Sequence, residues 1–314
     1  MKFTYHEPFL SKIIYISRKL YFDTINVRKL FLKKISNIKE WCFKDYKFKI
    51  EHIKSKAKNH TKNTRKKVQQ TKIPLILSSN LNPRLAVYTC IYGPYDMICE
   101  PIIKGKYCDY YIITDQQVKK SSVWKKIEPQ LPKDFNNWND SVKNRYFKMH
   151  PEVIFPEYDY SLYIDGNIIL LTDVYPLLKN LESKFIGIFK HPLTDCFYQS
   201  AESLKQICLV NPEESDRQVK YYSKCGFPEH YGYFECSLLL RQHNNPQCKK
   251  LMDTWWDQYL TYVKRDQQSI MFSLWINGFN KEDVACLGPN IRRHPRFYFK
   301  EHKKKHSLVE SIYK

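Results

Sequence analysis

No Cys-x-x-Cys pair and no zinc-ribbon spacing occurs among the ten cysteines of this 314-residue sequence. The sequence signatures of a paired-thiol motif and of a zinc ribbon are therefore both missing. Several of the cysteines sit inside apolar strand-like runs, where a reduced thiol is simply a small hydrophobe, and a reducing, cytoplasmic setting is expected. Lys2, His6, Glu7, Lys12, Arg18 and Lys19 interrupt every apolar core in the first twenty residues, so no signal peptide is read. Nowhere do about 18 apolar residues run together, so no membrane-spanning helix is expected. Neither H-E-x-x-H nor G-x-S-x-G is found, and none of the motifs that read nucleic acid, which is therefore not an expected partner.

Acid is scarce as well, with 32 Asp and Glu against 52 Lys and Arg. The shortage is local: residues 1–80 hold 20 of the basic groups and 5 of the acidic ones, and the rest of the chain is close to balanced. From Phe9 to Trp41 apolar residues recur every three to four positions with Lys and Arg between them and without Gly or Pro, a pattern for basic amphipathic helices. Over residues 44–72 the apolar residues thin out, and the segment reads as a solvated linker. Such an extension can lie on an anionic membrane, as on its inner face, pack on a partner or on its own domain, or, as the least expected of these, bind nucleic acid through phosphate neutralisation. Three parts are expected: an extension over 1–80, an α/β domain over 81–300 and a basic tail over 301–314.

Apolar, β-branched runs at 84–91, 107–114, 160–164, 168–171, 185–189 and 233–240 predict strands. Helical patterns are read at 141–150, 174–181, 200–209, 246–262 and 267–275. Alternating in this way they predict a mainly parallel sheet covered on both faces, with ligands beyond the carboxyl ends of the strands.

The residues just after the strands are thus the ones to weigh. Asp165-Gly166-Asn167 follows the run ending at Ile164, and a carboxylate and a carbonyl two residues apart across a glycine could hold a divalent cation. The same Asp-Gly between apolar runs is equally a hairpin signal, and the three residues alone leave both readings open.

The stretch 156–178 resembles the metal-motif strand of glycogenin-like glycosyltransferases, where an apolar strand leads to an acidic motif and then to a helix. A fuller resemblance, to the glycosyltransferase-like family catalogued as domain of unknown function 616, is carried by VYTCIYGPYD (87–96), YIDGN (163–167), KHPLTDCFYQSAE (190–202), GYFECSLLLRQHN (232–244), WW (255–256) and RDQQSIMFSLW (265–275). The resemblance implies a GT-A, Rossmann-like fold, a nucleotide-sugar donor and Mn²⁺ or Mg²⁺. On that reading Thr89, Tyr92, Gly93 and Asp96 would line the nucleotide pocket and Asp115 would sit near the base or ribose. Arg145 and Lys148, three apart on one helix face, could meet the donor phosphates, or Lys148 could be plain surface charge.

His191, at a strand end, suits a metal ligand or an acceptor contact, with His243 and His294 weaker candidates for a third ligand. Glu235 lies in an apolar run, where a carboxylate is costly unless paired or facing a cleft. It and Asp266, which opens a helix and could simply cap it, are the candidates for acceptor binding and general base. Trp255 and Trp256 are core or sugar-stacking surface. The expected function is metal-dependent sugar transfer to a glycan, glycoconjugate or lipid-linked acceptor, retaining or inverting. The alternatives are a hydrolase of lipid-amidase type on the same fold and a non-catalytic carbohydrate-binding protein.

Overall fold

The computed structural model describes residues 83–300 and His302. The expectations for the extension, the linker and the rest of the tail, and Cys42 with them, lie outside the described residues. Strands β1 (Leu85–Ile91) and β2 (Cys108–Thr114) form from the first two apolar runs, and β3 (Lys125–Lys126) is a short edge strand. Helix α1 (Asp140–Met149) starts where the Asn139 side chain accepts the Val142 N–H at 3.0 Å, and it stops before Pro151. There follow β4 (Tyr160–Ile164), β5 (Ile168–Leu170), β6 (Ile186–Lys190), α2 (Phe197–Gln206) and α3 (Pro212–Lys224). The described chain continues through β7 (Phe234–Arg241), α4 (Pro246–Thr261), α5 (Ile270–Ile276), β8 (Val284–Cys286) and β9 (Phe297–Phe299).

Seven of these strands form a mainly parallel sheet in the order β3-β2-β1-β4-β7-β6-β8, in which β7 alone runs against its neighbours. Every residue of β1 is buried, and the two-residue alternation of its side chains explains how. Ala86, Tyr88 and Cys90 enter a core shared with α1, α4 and α5, while Leu85, Val87 and Ile91 enter a second one with Leu162, Ile164, Leu238 and Leu240. The second face is closed by a small β5–β9 sheet and by the 3-10 turn Tyr175–Asn180. The fold class is therefore α/β, as the alternation of patterns implies.

Three local expectations need correction. Residues 174–181 make that 3-10 turn in place of an α-helix, with Pro176 early in it. The segment 267–275 divides into a 3-10 turn, Asp266–Gln268, and α5. Helix α3 was not read from the apolar pattern, yet its start carries a strong signal: Asn211 caps it, Pro212 opens it, and Glu213 and Glu214 fill its first turn. The nine described cysteines are all free thiols, and no described helix is long and apolar enough to cross a membrane.

Candidate active site

Strand direction brings one set of ends together. Because β4 and β6 run alike and β7 runs against them, the ends of β4 and β6 and the start of β7 lie at one margin of the sheet. Asp165 leaves β4 there, its N–H donating to the Ser237 carbonyl at 2.9 Å. The turn is closed by Ile168 N–H to Asp165 O at 3.0 Å, but no hairpin follows: β4 pairs with β1 and β7, and β5 pairs with β9. Only glycine fits between, since a Cβ on Gly166 would stand 2.7 Å from Ile91 Cγ1. The Asp165 side chain is 28% exposed, so it opens on the margin without standing free in solvent.

Behind it lies an ion cluster. Lys148 is not surface charge: its side chain is 1% exposed, with Nζ 2.5 Å from Asp266 Oδ2 and 3.3 Å from Asp165 Oδ1. Arg145 Nε approaches the same Asp266 oxygen at 3.2 Å. Burial alone would raise the Asp266 carboxyl, but Arg145 and Lys148 outweigh it and hold the group far below the carboxylate range. Asp266 is consequently a poor proton acceptor. Nor does its side chain cap a helix from outside, because Arg265 occupies the N-cap position and Asp266 is the first residue of the turn. The cluster is braced on both sides. Trp255 Nε1 donates to the Asp266 carbonyl at 2.8 Å, and buried Arg241 donates to the Lys148 carbonyl and to the Tyr88 hydroxyl, each at 2.6 Å. Trp255 is core and Trp256 packs edge-on against Trp138 and Tyr146.

Removing one partner of a buried ion pair leaves the other charge uncompensated, at a cost of about 3 kcal/mol or more. Lys148→Met should accordingly lower the melting temperature by about 6–12 °C for a domain of this size, measured by calorimetry. A change within a degree or so would show that Lys148 is not holding the two carboxylates.

On the neighbouring strand, Glu235 pairs with Phe189 at a β-bulge in β6, where the register shifts between Ile188 and Phe189. Bulges bend the strand that carries them and are over-represented beside active sites. Burial pushes the Glu235 carboxyl up, with Asp165 adding to the rise and Arg292 and Lys148 opposing it. His191 sets its ring edge-on to Tyr233 at 5.2 Å, and burial, with the guanidiniums of Arg265 and Arg292, lowers its imidazole below the usual value. Those two arginines were not singled out from the sequence, although Arg265 stands in the quoted RDQQ. Neither makes an ion pair among the described residues; Arg292 stacks over the Phe299 ring at 4.4 Å.

The β1 end carries the remaining positions. Asp115 takes the Gly93 N–H on both carboxylate oxygens, at 3.0 and 3.1 Å, fixing a turn in which Gly93 has φ +66° and a side chain would strike Asp140. Tyr92 packs on Phe135 and Phe147. Thr89 is 3% exposed within β1, with its hydroxyl unpartnered, so it is buried in the strand and presents no surface to a ligand.

Asp96 reaches a residue that sequence reasoning missed: its Oδ1 meets His302 Nδ1 at 2.8 Å, and His302 Nε2 lies 3.4 Å from Asn167 Nδ2. The hydrogen bond to Asp96 raises the His302 imidazole above its usual value. The imidazole that meets Asn167 is thus His302, and His191 sits instead against Tyr233. His243 bonds the Phe155 carbonyl at 2.8 Å, beyond the opposite end of β7, and His294 stacks on Phe297. No signal in the basic tail sequence distinguished His302 from its neighbours; only the fold brings it back.

The carboxylates, imidazole and guanidiniums of Asp165, Glu235, His302, Arg265 and Arg292 belong to the strand-end margin, the side on which open α/β sheets generally carry their ligands. Residues 44–284 match a family profile described as the TOD1/MUCI70, glycosyltransferase-like domain, and the chain belongs to that family. The match begins within the segment read as linker and ends before His302. A solved structure with similarity is the apo form of the bifunctional glycosyltransferase WbbM, at 11% identity and a TM-score of 0.39 over 67% of this chain. This chain spans 40% of the length of that one. No curated protein matches.

Proposed function

We propose that the protein is a glycosyltransferase of GT-A type, moving a sugar from a nucleotide-sugar donor to a hydroxyl of a glycan or glycoconjugate. The observation that carries this is the placement of Asp165 at the tip of β4, backed by the Lys148–Asp266 pair and flanked on β7 by a carboxyl with raised affinity for its proton. The glycosyltransferase-like family supports it.

Among the described residues no three of His, Cys, Asp and Glu converge as a metal site, so a cation here needs the amide. The donors would be the Asp165 carboxylate and Asn167 Oδ1, joined by His302 Nε2 once it gives up its 3.4 Å contact with Asn167 Nδ2, a hard-to-borderline set suited to Mn²⁺ or Mg²⁺. Nδ1 of His302 is already committed to Asp96, the usual way a second carboxylate fixes a ligating ring. When bound, such an ion supplies charge neutralisation to a leaving diphosphate. The chain does the rest. Lys148 is too buried to touch the donor; it holds Asp165 and Asp266 in place. Arg265 and Arg292 have guanidinium capacity to spare for phosphate oxygens. Glu235 is the group to take the acceptor hydroxyl proton in an inverting reaction, or to bind that hydroxyl in a retaining one.

A panel of sugar nucleotides tests the reading. Thermal stability should rise with a nucleoside diphosphate and Mn²⁺ together, more than with either alone, and one sugar nucleotide should be turned over. Sugar appearing only on water would favour a hydrolase. Binding without turnover would favour a carbohydrate-binding protein, and no response to any nucleotide would sink the proposal.

A further inference from the structure

Asn167 occupies the position where the metal-motif resemblance would suggest a second aspartate, and its surroundings give a reason. Its Nδ2 donates to the Lys300 carbonyl at 3.1 Å, while its own carbonyl accepts the Lys300 N–H at 2.8 Å. Lys300 is thereby held by both the side chain and the backbone of one residue. Two residues on, His302 returns to the same amide at 3.4 Å and to Asp96 at 2.8 Å, with its ring against Tyr95 at 4.6 Å. Register contributes as well, because Ile168 pairs with Phe299, so the chain leaving β9 passes directly over the turn after β4.

An amide has a donor and an acceptor, whereas an ionised carboxylate only accepts. Here Nδ2 is spent on Lys300, and Oδ1 accepts no hydrogen bond among the described residues. Aspartate at 167 would set a carboxylate oxygen against the Lys300 carbonyl oxygen, two acceptors with no proton between them. The same substitution would add a negative charge beside Asp165, which an isolated ligand set would welcome. The two effects pull cation affinity in opposite directions, which makes the position testable.

We infer that Asn167 is a positioning residue: its amide nitrogen seats Lys300, and with it the His302 imidazole, and leaves its amide oxygen available to a cation. The metal half of this rests on the function proposed above; the seating of Lys300 does not. The Asn is on this account a requirement of the site and not a decayed aspartate.

The experiment uses the full chain with Asn167→Asp, Asn167→Ala and His302→Ala, singly and with Asn167→Asp and His302→Ala combined. Hydrogen exchange at the Lys300 amide needs neither donor nor metal, and it should speed up about tenfold in both Asn167 variants as the strap loosens. The global melting temperature should stay nearly unchanged, which a general packing role would not allow. Titration with Mn²⁺ alone should show Asn167→Asp binding about 10-fold or more weakly than the natural protein. In the His302→Ala background the same substitution should cost far less, because the two act through one path.

Unchanged Lys300 exchange in Asn167→Ala overturns the inference. So does tighter Mn²⁺ binding by Asn167→Asp, or additive losses in the double variant. If the natural protein binds no Mn²⁺ at all, the metal reading of the site falls, and Lys300 exchange alone then decides whether Asn167 seats Lys300.

Discussion

Asp165→Ala is expected to abolish sugar transfer, by about a thousandfold or more, while leaving the domain folded. Asp165 is the one carboxylate in the proposed donor set, and neutralising a departing diphosphate is a matter of several kcal/mol, which is that order in rate. The fold should tolerate the loss because Lys148 keeps its shorter contact, 2.5 Å to Asp266, when the 3.3 Å contact to Asp165 is gone. Asp266→Ala provides the contrast. It strips the carboxylate from both Arg145 and Lys148 at once, so a buried lysine and a partly buried arginine lose their main partner and the protein should melt early, whatever its activity. Calorimetry and turnover on the same preparations separate the two cases. Should Asp165→Ala transfer sugar at the natural rate, the strand-end seat is not where the chemistry happens.

The sheet was legible because its strands are buried on both faces and read as near-continuous apolar runs, as in Leu85–Ile91 and Tyr160–Ile164. The reverse direction of β7 was not, since a run such as Phe234–Arg241 looks the same in a parallel or an antiparallel neighbour; direction is set by connections. At the margin, only Glu235 was singled out by the cost of a carboxylate in an apolar run; Asp165 was read from its place after a strand, Asp266 from opening a helix, and Lys148 as a phosphate contact or plain surface charge. What none of these could give was the pairing. Lys148 and Asp266 are 118 positions apart, and nothing local in either segment says that the ammonium donates to that carboxylate. His302 is harder still. It sits in a run of lysines that reads as a basic tail, and its place beside Asn167 comes from β9 pairing with β5, two short strands whose match leaves no periodic signal.

Glu235→Gln should show the opposite combination from Asp266→Ala: a slower enzyme with a more stable fold at neutral pH. Burial raises the folded-state carboxyl above its unfolded value, which is about 4.3, with Arg292 and Lys148 only partly offsetting it. A raised folded value means that the group's favourable contribution is complete below the unfolded value and is lost as pH rises through the folded one. Above that point the protein carries an ionised carboxylate that its surroundings disfavour. The amide removes that penalty, so the melting-temperature gain of the variant over the natural protein should be near zero at about pH 4 and should grow toward pH 7. Losing a general base typically costs about 10²–10⁴ in rate, with donor affinity kept. The natural enzyme's activity should fall on the acid side as Glu235 takes up its proton, and the variant should lack that limb. A kcat that is unchanged while the acceptor KM rises would reassign Glu235 to acceptor binding, as a retaining reaction requires. Full activity together with an unchanged pH profile would remove Glu235 from the site.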